Sequence, residues 1–160
     1  MAQVYNVDEN FDYSLFENSS CAFGVFDGVH KGHQYLLQCA KETAKECGGL
    51  SVALTFNIDP DELFHAERLM SNERRIEMLS QSGVDAVIVL DFTYKFAALS
   101  PHGFLDKTFK GHAPSHLHVG LDFKFGSKAS GTVADLGEWG ARNNTHIDAH
   151  NLKSADSKPI

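Results

Sequence analysis

Cys21-Ala-Phe-Gly-Val-Phe-Asp-Gly-Val-His-Lys-Gly-His33 contains the change of period that decides how the rest of the chain is read. Residues 21–26 form a nearly continuous apolar run, the pattern of a strand buried on both faces. From 33 to 47 the apolar spacing becomes helical: Leu37, Ala40, Ala44 and Cys47 fall at i, i+3, i+7 and i+10 on one face. Gly48-Gly49 supplies the stop. Between strand and helix lies a turn with glycines and two histidines. The free N–H groups and positive dipole end of a helix N-terminus favour an anion such as phosphate. Gly32 lets backbone approach a ligand closely. His30 and His33 can donate hydrogen bonds to a phosphate whose charge grows during a displacement.

The alternation continues outward from this segment. Residues 50–56 predict a second strand. Ser71 caps a helix over 72–82, with Glu73 favourably placed in its first turn and Gly83 ending it. Residues 84–90 predict a third strand, Ser100-Pro101 opens a helix that runs to about 110, and 116–120 predict a fourth strand. A helix near 132–141 and a strand near 145–150 follow. The order β-α-β-α-β-α-β-α-β requires parallel pairing with right-handed crossovers. The predicted class is α/β: a Rossmann-like parallel sheet of about five strands, flanked by helices on both faces. Ligands on such sheets sit beyond the carboxyl ends of the strands, where the histidine segment falls.

Bulk properties narrow the options. A chain of 160 residues fits one domain, and 42% hydrophobic residues can bury a core. A net charge of −7 argues against nucleic acid and anionic membrane as partners, since phosphate backbones reward clustered Lys and Arg. Cys21, Cys39 and Cys47 show no C-x-x-C spacing and suit reduced thiols in a cytoplasmic protein. The first ten residues do not read as a signal peptide, and no apolar run approaches the roughly 18 residues of a membrane span.

The histidine segment is neither a G-x-G-x-x-G fingerprint nor a P-loop, because no G-K-[ST] follows. With 9 His and 13 Gly in the chain, an H-x-G-H tetrapeptide arises by chance about 0.04 times, so its place between strand and helix carries the weight. Two other readings stand beside it: histidines that cap a helix, or a metal pair, although no carboxylate or Cys stands at ligand spacing. Asp122, Phe123, Phe125 and Gly126 follow the fourth strand. They form either a ligand-contacting edge or an ordinary turn with two core aromatics. His116 and His118 share a strand face, and His112 lies four residues earlier. A zinc site there lacks a third and fourth partner, and no metal is assigned to protein side chains. His146 and His150 read as surface residues, and Arg74, Arg75, Lys41 and Lys45 as solvated helix faces. Most of the twelve Phe should be core.

Residues 24–34 resemble the H-x-G-H signature of the nucleotidylyltransferase superfamily. The Phe26-Asp-Gly-Val-His30 extension resembles the adenylyltransferase domain of the bacterial FAD synthetases (bifunctional riboflavin kinase/FMN adenylyltransferases) in particular. Further along, Thr55-Phe-Asn-Ile-Asp-Pro60 resembles that family's T-F-x-x-x-P loop. Leu69 to Leu79 followed by Gly83-Val-Asp resembles its second helix and third-strand entry. Phe92 to Phe104 resembles its F-x-x-x-F-A-x-L-S-P-x-x-F segment, and Val119 to Gly126 its V-G-x-D-F-x-F-G loop. The resemblance runs from about residue 20 to the end. Two departures stand out. Ile58-Asp59 replaces the Pro-His that often precedes the final Pro of the first loop. Lys158-Pro-Ile160 resembles the lead-in to an I-S-S-T-x-I-R motif that does not follow. The expectation is therefore an adenylyltransferase domain over 1–160, cut before that motif and without the riboflavin kinase domain.

The resemblance implies attack of the FMN phosphate on the α-phosphorus of ATP, giving FAD and pyrophosphate, with Mg²⁺ accompanying ATP. His30 and His33 are the implied catalytic pair. Gly24, Phe26, Asp27, Gly28 and Gly32 are the implied wall under the nucleotide, and Asp122, Phe125 and Gly126 the adenosine contacts. Thr55, Phe56, Asn57 and Asp59 are the implied flavin side. ATP and FMN are the expected partners, with a riboflavin kinase domain a further C-terminal partner in the natural protein. Two alternatives remain open: a nucleotide- or flavin-binding module without turnover, and a nucleotidylyltransferase acting on another phosphorylated small molecule.

Overall fold

The computed structural model describes residues 2–26, 31–57, 71–91 and 93–152. The strands are β1 (Gln3–Asn6), β2 (Ser20–Phe23), β3 (Ser51–Asn57), β4 (Ala86–Asp91), β5 (His116–Gly120) and β6 (His146–His150). The helices are α1 (Lys31–Cys47), α2 (Asn72–Ser80), α3 (Tyr94–Ala97), α4 (Pro101–Phe109) and α5 (Val133–Asn143). All six strands join one parallel sheet in the order β1-β4-β3-β2-β5-β6. The expected α/β class and helix-covered parallel sheet are present, with six strands rather than five. The additional strand is β1, which pairs Gln3–Asn6 with residues 86–89 of β4 at the sheet edge. Only Tyr5 of its four residues is partly buried, so it carries no apolar run that a pattern could reveal. The first predicted strand is also shorter than expected, ending at Phe23 rather than 26.

The pleat divides the core into two layers. One face presents Cys21, Phe23, Val52, Leu54, Phe56, Ile88, Leu90, Leu117 and Val119 to α3, α4 and α5. Phe104 and Phe109 of α4 and Trp139 of α5 fill that layer, and Trp139 Nε1 donates to Asp106 Oδ1 across the two helices at 3.1 Å. The other face presents Ala22, Ala53, Val87 and Val89 to α1 and α2, where Leu36, Leu37, Ala40 and Leu79 meet them. The small residues on this second face let α1 pack closely on the sheet. Helix starts follow the expected capping: Ser71 Oγ accepts from the Arg74 N–H, and Ser100 Oγ from the Gly103 N–H, each at 3.1 Å. No helix of the described residues is long and apolar enough to cross a membrane.

Candidate active site

β2 lies in mid-sheet between β3 and β5, and its carboxyl end opens the site. The chain leaves the sheet at Gly24 and passes through Val25 to Phe26, whose backbone is left-handed (φ 60°). A bulky residue there is uncommon, and such strain of about 1–3 kcal/mol persists only where surrounding contacts fix it. The contact is visible. The Phe26 ring is buried with Leu36 and Leu37 of α1 and meets the His33 ring edge-on, with centroids 5.3 Å apart at 78°. Gly32 and His33 occupy the first turn of α1, with Gly32 buried and His33 partly so. The aromatic edge of Phe26 therefore sets the plane of the His33 imidazole. His30, Asp27 and Gly28, together with Asp59 on the flavin side, lie outside the described residues.

Arg75 of α2, expected on a solvated face, is instead fully buried (0% exposed) beneath this turn. Its Nη1 donates to the Val25 carbonyl (2.9 Å) and to Thr55 Oγ1 (2.6 Å). Its Nη2 donates to the Phe56 carbonyl (2.5 Å) and to Asn72 Oδ1 (2.6 Å). Thr55 Oγ1 in turn donates to the Val25 carbonyl at 3.1 Å. The planar guanidinium fork thus ties the exits of β2 and β3 to the start of α2, a geometry that an ammonium group cannot reproduce. Thr55 and Asn57 share one face at the end of β3, and Phe56 lies on the other. Thr55 and Phe56 are buried, and Asn57 is exposed. The Phe56 ring packs on Phe23 and Phe104, at 5.4 and 6.0 Å.

On the other side of β2, β5 ends at Gly120 and Asp122 is exposed on the following turn. Phe125 then pairs with Gly131 in an antiparallel bridge, and its buried ring packs on Phe104 at 5.5 Å. Gly126 (φ 77°) follows in the left-handed region. A Cβ there would stand 3.1 Å from the backbone of Pro101 at the start of α4. The next N–H, from Ser127, donates to the Leu99 carbonyl at 2.7 Å. The structure therefore brings Gly24, Phe26, Gly32 and His33, the β3 exit and the β5 turn to neighbouring strand ends. Phe56 and Phe125 are part of the core floor beneath them.

His146 is exposed, as its reading as a surface residue requires, whereas His112 and His150 depart from expectation. His112 is away from His116 and His118: it pairs with Glu17 and stacks on Tyr13. His150 is a half-buried residue rather than a surface one, stacked on His118 (5.2 Å, 19°) and edge-on to Tyr35. His118 is 3% exposed and bonded to His150 Nε2 (3.0 Å) and Thr43 Oγ1 (3.1 Å). Burial pushes its imidazole down to about 4 against the opposing pull of Asp148, so the ring is neutral near pH 7.

The family profile described as FAD synthetase matches residues 13–160. A bifunctional riboflavin kinase/FMN adenylyltransferase of Listeria monocytogenes is 34% identical over 127 residues, which is 76% of this chain and 40% of that protein. The proteins of the same name from Haemophilus influenzae (35% identical; 76% of this chain, 41% of that one) and Bacillus subtilis (33%; 74% and 39%) are similar to a like degree. The chain thus spans about two fifths of the length of these relatives. Among solved structures, the crystal structure of a macrolide-efflux protein from Streptococcus pneumoniae matches with a TM-score of 0.77 at 25% identity. That match covers 94% of this chain and 52% of the other. A profile match over nearly the whole chain, on a sheet whose strand β2 is followed by Gly32 and His33 in the first turn of α1, places the chain in the FAD synthetase family.

Proposed function

We propose that this chain transfers AMP from ATP to FMN, giving FAD and pyrophosphate. The observation that supports it most is the first turn of α1, which offers Gly32 and His33 at the exit of β2 with the His33 ring fixed by Phe26. The FMN phosphate is anionic at pH 7, so it attacks the α-phosphorus without a protein nucleophile or strong base. A new P–O bond forms to the FMN phosphate oxygen, the bond from the α-phosphorus to the bridging oxygen breaks, and pyrophosphate leaves. Catalysis then consists of positioning and charge stabilisation.

In this reading His33, with His30, donates to the triphosphate as its charge shifts toward the leaving group, and helix α1 adds its N-terminal N–H groups. Arg75 keeps the Gly24–Phe26 turn in place without touching substrate. Asp122 accepts hydrogen bonds from the adenosine part, Gly126 lets the β5 turn close onto the entry of α4, and Phe125 supports that turn from below. Asn57 and Asp59 border the flavin, backed by Thr55 and Phe56. Mg²⁺ enters with ATP as part of the substrate. It takes oxygen ligands and retains much of its water, so the triphosphate oxygens and water satisfy its needs. The ion supplies neutralisation of triphosphate charge. The relatives' names are bifunctional, and this chain is read as their adenylyltransferase part. Chromatography of a reaction containing FMN, ATP and Mg²⁺ tests the assignment: FAD and pyrophosphate should appear in equal amounts. Binding of both substrates without product would make the chain a binding module, and faster turnover of another phosphorylated acceptor would reassign the substrate.

A further inference from the structure

We propose that His116, His146 and Asp148 form a binding site for one divalent transition-metal ion of zinc-like preference. The sequence alone leaves His116 without enough partners, but strand pairing supplies them. β5 and β6 are parallel, with His116 opposite His146 and His118 opposite Asp148. Because Leu117, Val119, Ile147 and Ala149 turn toward the α4–α5 layer, His116, His146 and Asp148 all project from the opposite face. One ligand atom from each of the three lies within 4.8 Å of the others.

One of the two separations is a hydrogen bond and the other is too long for one, so the group is held loosely enough to accept an ion. His146 Nε2 stands 3.1 Å from Asp148 Oδ1, and His116 Nδ1 stands 3.9 Å from Asp148 Oδ2. Two ligands of a tetrahedral ion, each at about 2.0–2.1 Å from it, stand roughly 3.3 Å apart. The observed separations bracket that value, so small side-chain rotations close the site. His116 Nδ1 is itself buried and makes no hydrogen bond. A buried polar atom of this kind is unusual, and a metal would satisfy it. His146 is 64% exposed, which leaves an entry path and room for a water as fourth ligand. Two imidazoles and one carboxylate favour zinc, nickel or copper over Mg²⁺ or Ca²⁺.

A second His–carboxylate group, His102 with Asp135 and Glu138, makes a useful contrast. There Asp135 Oδ2 already accepts from the Thr132 N–H and hydroxyl as a helix cap, and His102 pairs with Arg142. Its ligands are engaged in structure. The proposed site also lies away from the phosphate turn. His116 is level with Ser20 at the start of β2, whereas the phosphate turn follows Phe23 at its end. The ion would therefore fasten edge strand β6 to β5 without joining the AMP transfer.

The test is calorimetric titration of the metal-stripped, nucleotide-free chain with ZnCl₂, with Co²⁺ absorption as a second reading of tetrahedral N/O ligation. One ion per chain is expected. His146→Ala and Asp148→Asn should each weaken it at least about 100-fold, since even loss of an outer partner costs 10–100-fold. His146 is exposed, so its variant folds, and circular dichroism verifies this for both. Glu138→Gln should leave the affinity unchanged. Absence of binding in the parent chain would overturn the site. So would undiminished binding in the His146 and Asp148 variants, or loss confined to Glu138→Gln. None of these outcomes bears on FAD formation.

Discussion

Replacing Arg75 by methionine removes a guanidinium that joins three segments at once. The hydrogen bonds to Val25 O, Thr55 Oγ1, Phe56 O and Asn72 Oδ1 are each charge-assisted. Such bonds contribute about 1.5–3 kcal/mol apiece when broken singly. They act on one group and do not add. Methionine also avoids the desolvation of a buried cation, which offsets part of the loss. A net destabilisation of roughly 2–4 kcal/mol remains, a large share of the 5–15 kcal/mol typical of a domain. Urea unfolding should show the midpoint falling by about 1–2 M at unchanged slope. Arg75→Lys keeps the charge but not the fork, and should recover less than half of the loss. The Michaelis constant for ATP, measured where the variant is fully folded, should rise about tenfold as the Val25–Phe26 turn loosens, roughly 1.4 kcal/mol of positioning. A methionine variant within 0.5 kcal/mol of the parent, or a lysine variant indistinguishable from it, would refute the role given to the fork.

Three further outcomes follow from the same geometry. His33→Ala should lower kcat by about 10²–10³ with little change in flavin affinity, the usual loss for one transition-state donor; unaltered turnover would remove His33 from the mechanism. Gly126→Ala places a Cβ 3.1 Å from Pro101 at φ 77° and should cost at least about 1 kcal/mol while raising the Michaelis constant for ATP; a neutral result would free the β5 turn from that constraint. Burial pushes the Cys21 thiol from its ordinary 9.0 up to about 12. The folded state then holds a proton that the unfolded chain sheds, so this contribution is intact below pH 9 and is lost as pH rises toward 12. Native Cys21 should accordingly resist alkylation at pH 8 while half-buried Cys47 reacts, and rapid labelling of Cys21 would contradict its burial.

The strands that reveal themselves in the sequence are those buried on both faces, such as Val52–Phe56 and Val87–Leu90, because double burial forces continuous apolar runs. β1 escapes detection because an edge strand of four residues needs only Tyr5 to face inward. Arg75 escapes because charge patterns assign arginine outward. The available clue was its spacing of four from buried Leu79, which puts the two on one helix face. The histidine turn was legible as a strand-to-helix junction, since the change of period marks both boundaries. Its dependence on Phe26 was not, because a left-handed phenylalanine has no sequence signature. The His116–His146–Asp148 group needed the β5–β6 register, which is a long-range fact absent from local spacing. His150 reads as a surface residue for the same reason: its burial comes from His118 and Tyr35, on other elements.

In the proposed reaction the exit of β2 and the start of α1 support transfer of AMP to the FMN phosphate. The most direct measurement follows ATP labelled at the α-phosphorus, incubated with the chain, Mg²⁺ and FMN. The label is expected to move into FAD with release of unlabelled pyrophosphate in equal amount, and both processes should stop when FMN is omitted. Label that appears in ADP or free AMP, or that remains in ATP while both substrates are demonstrably bound, would contradict the proposed reaction.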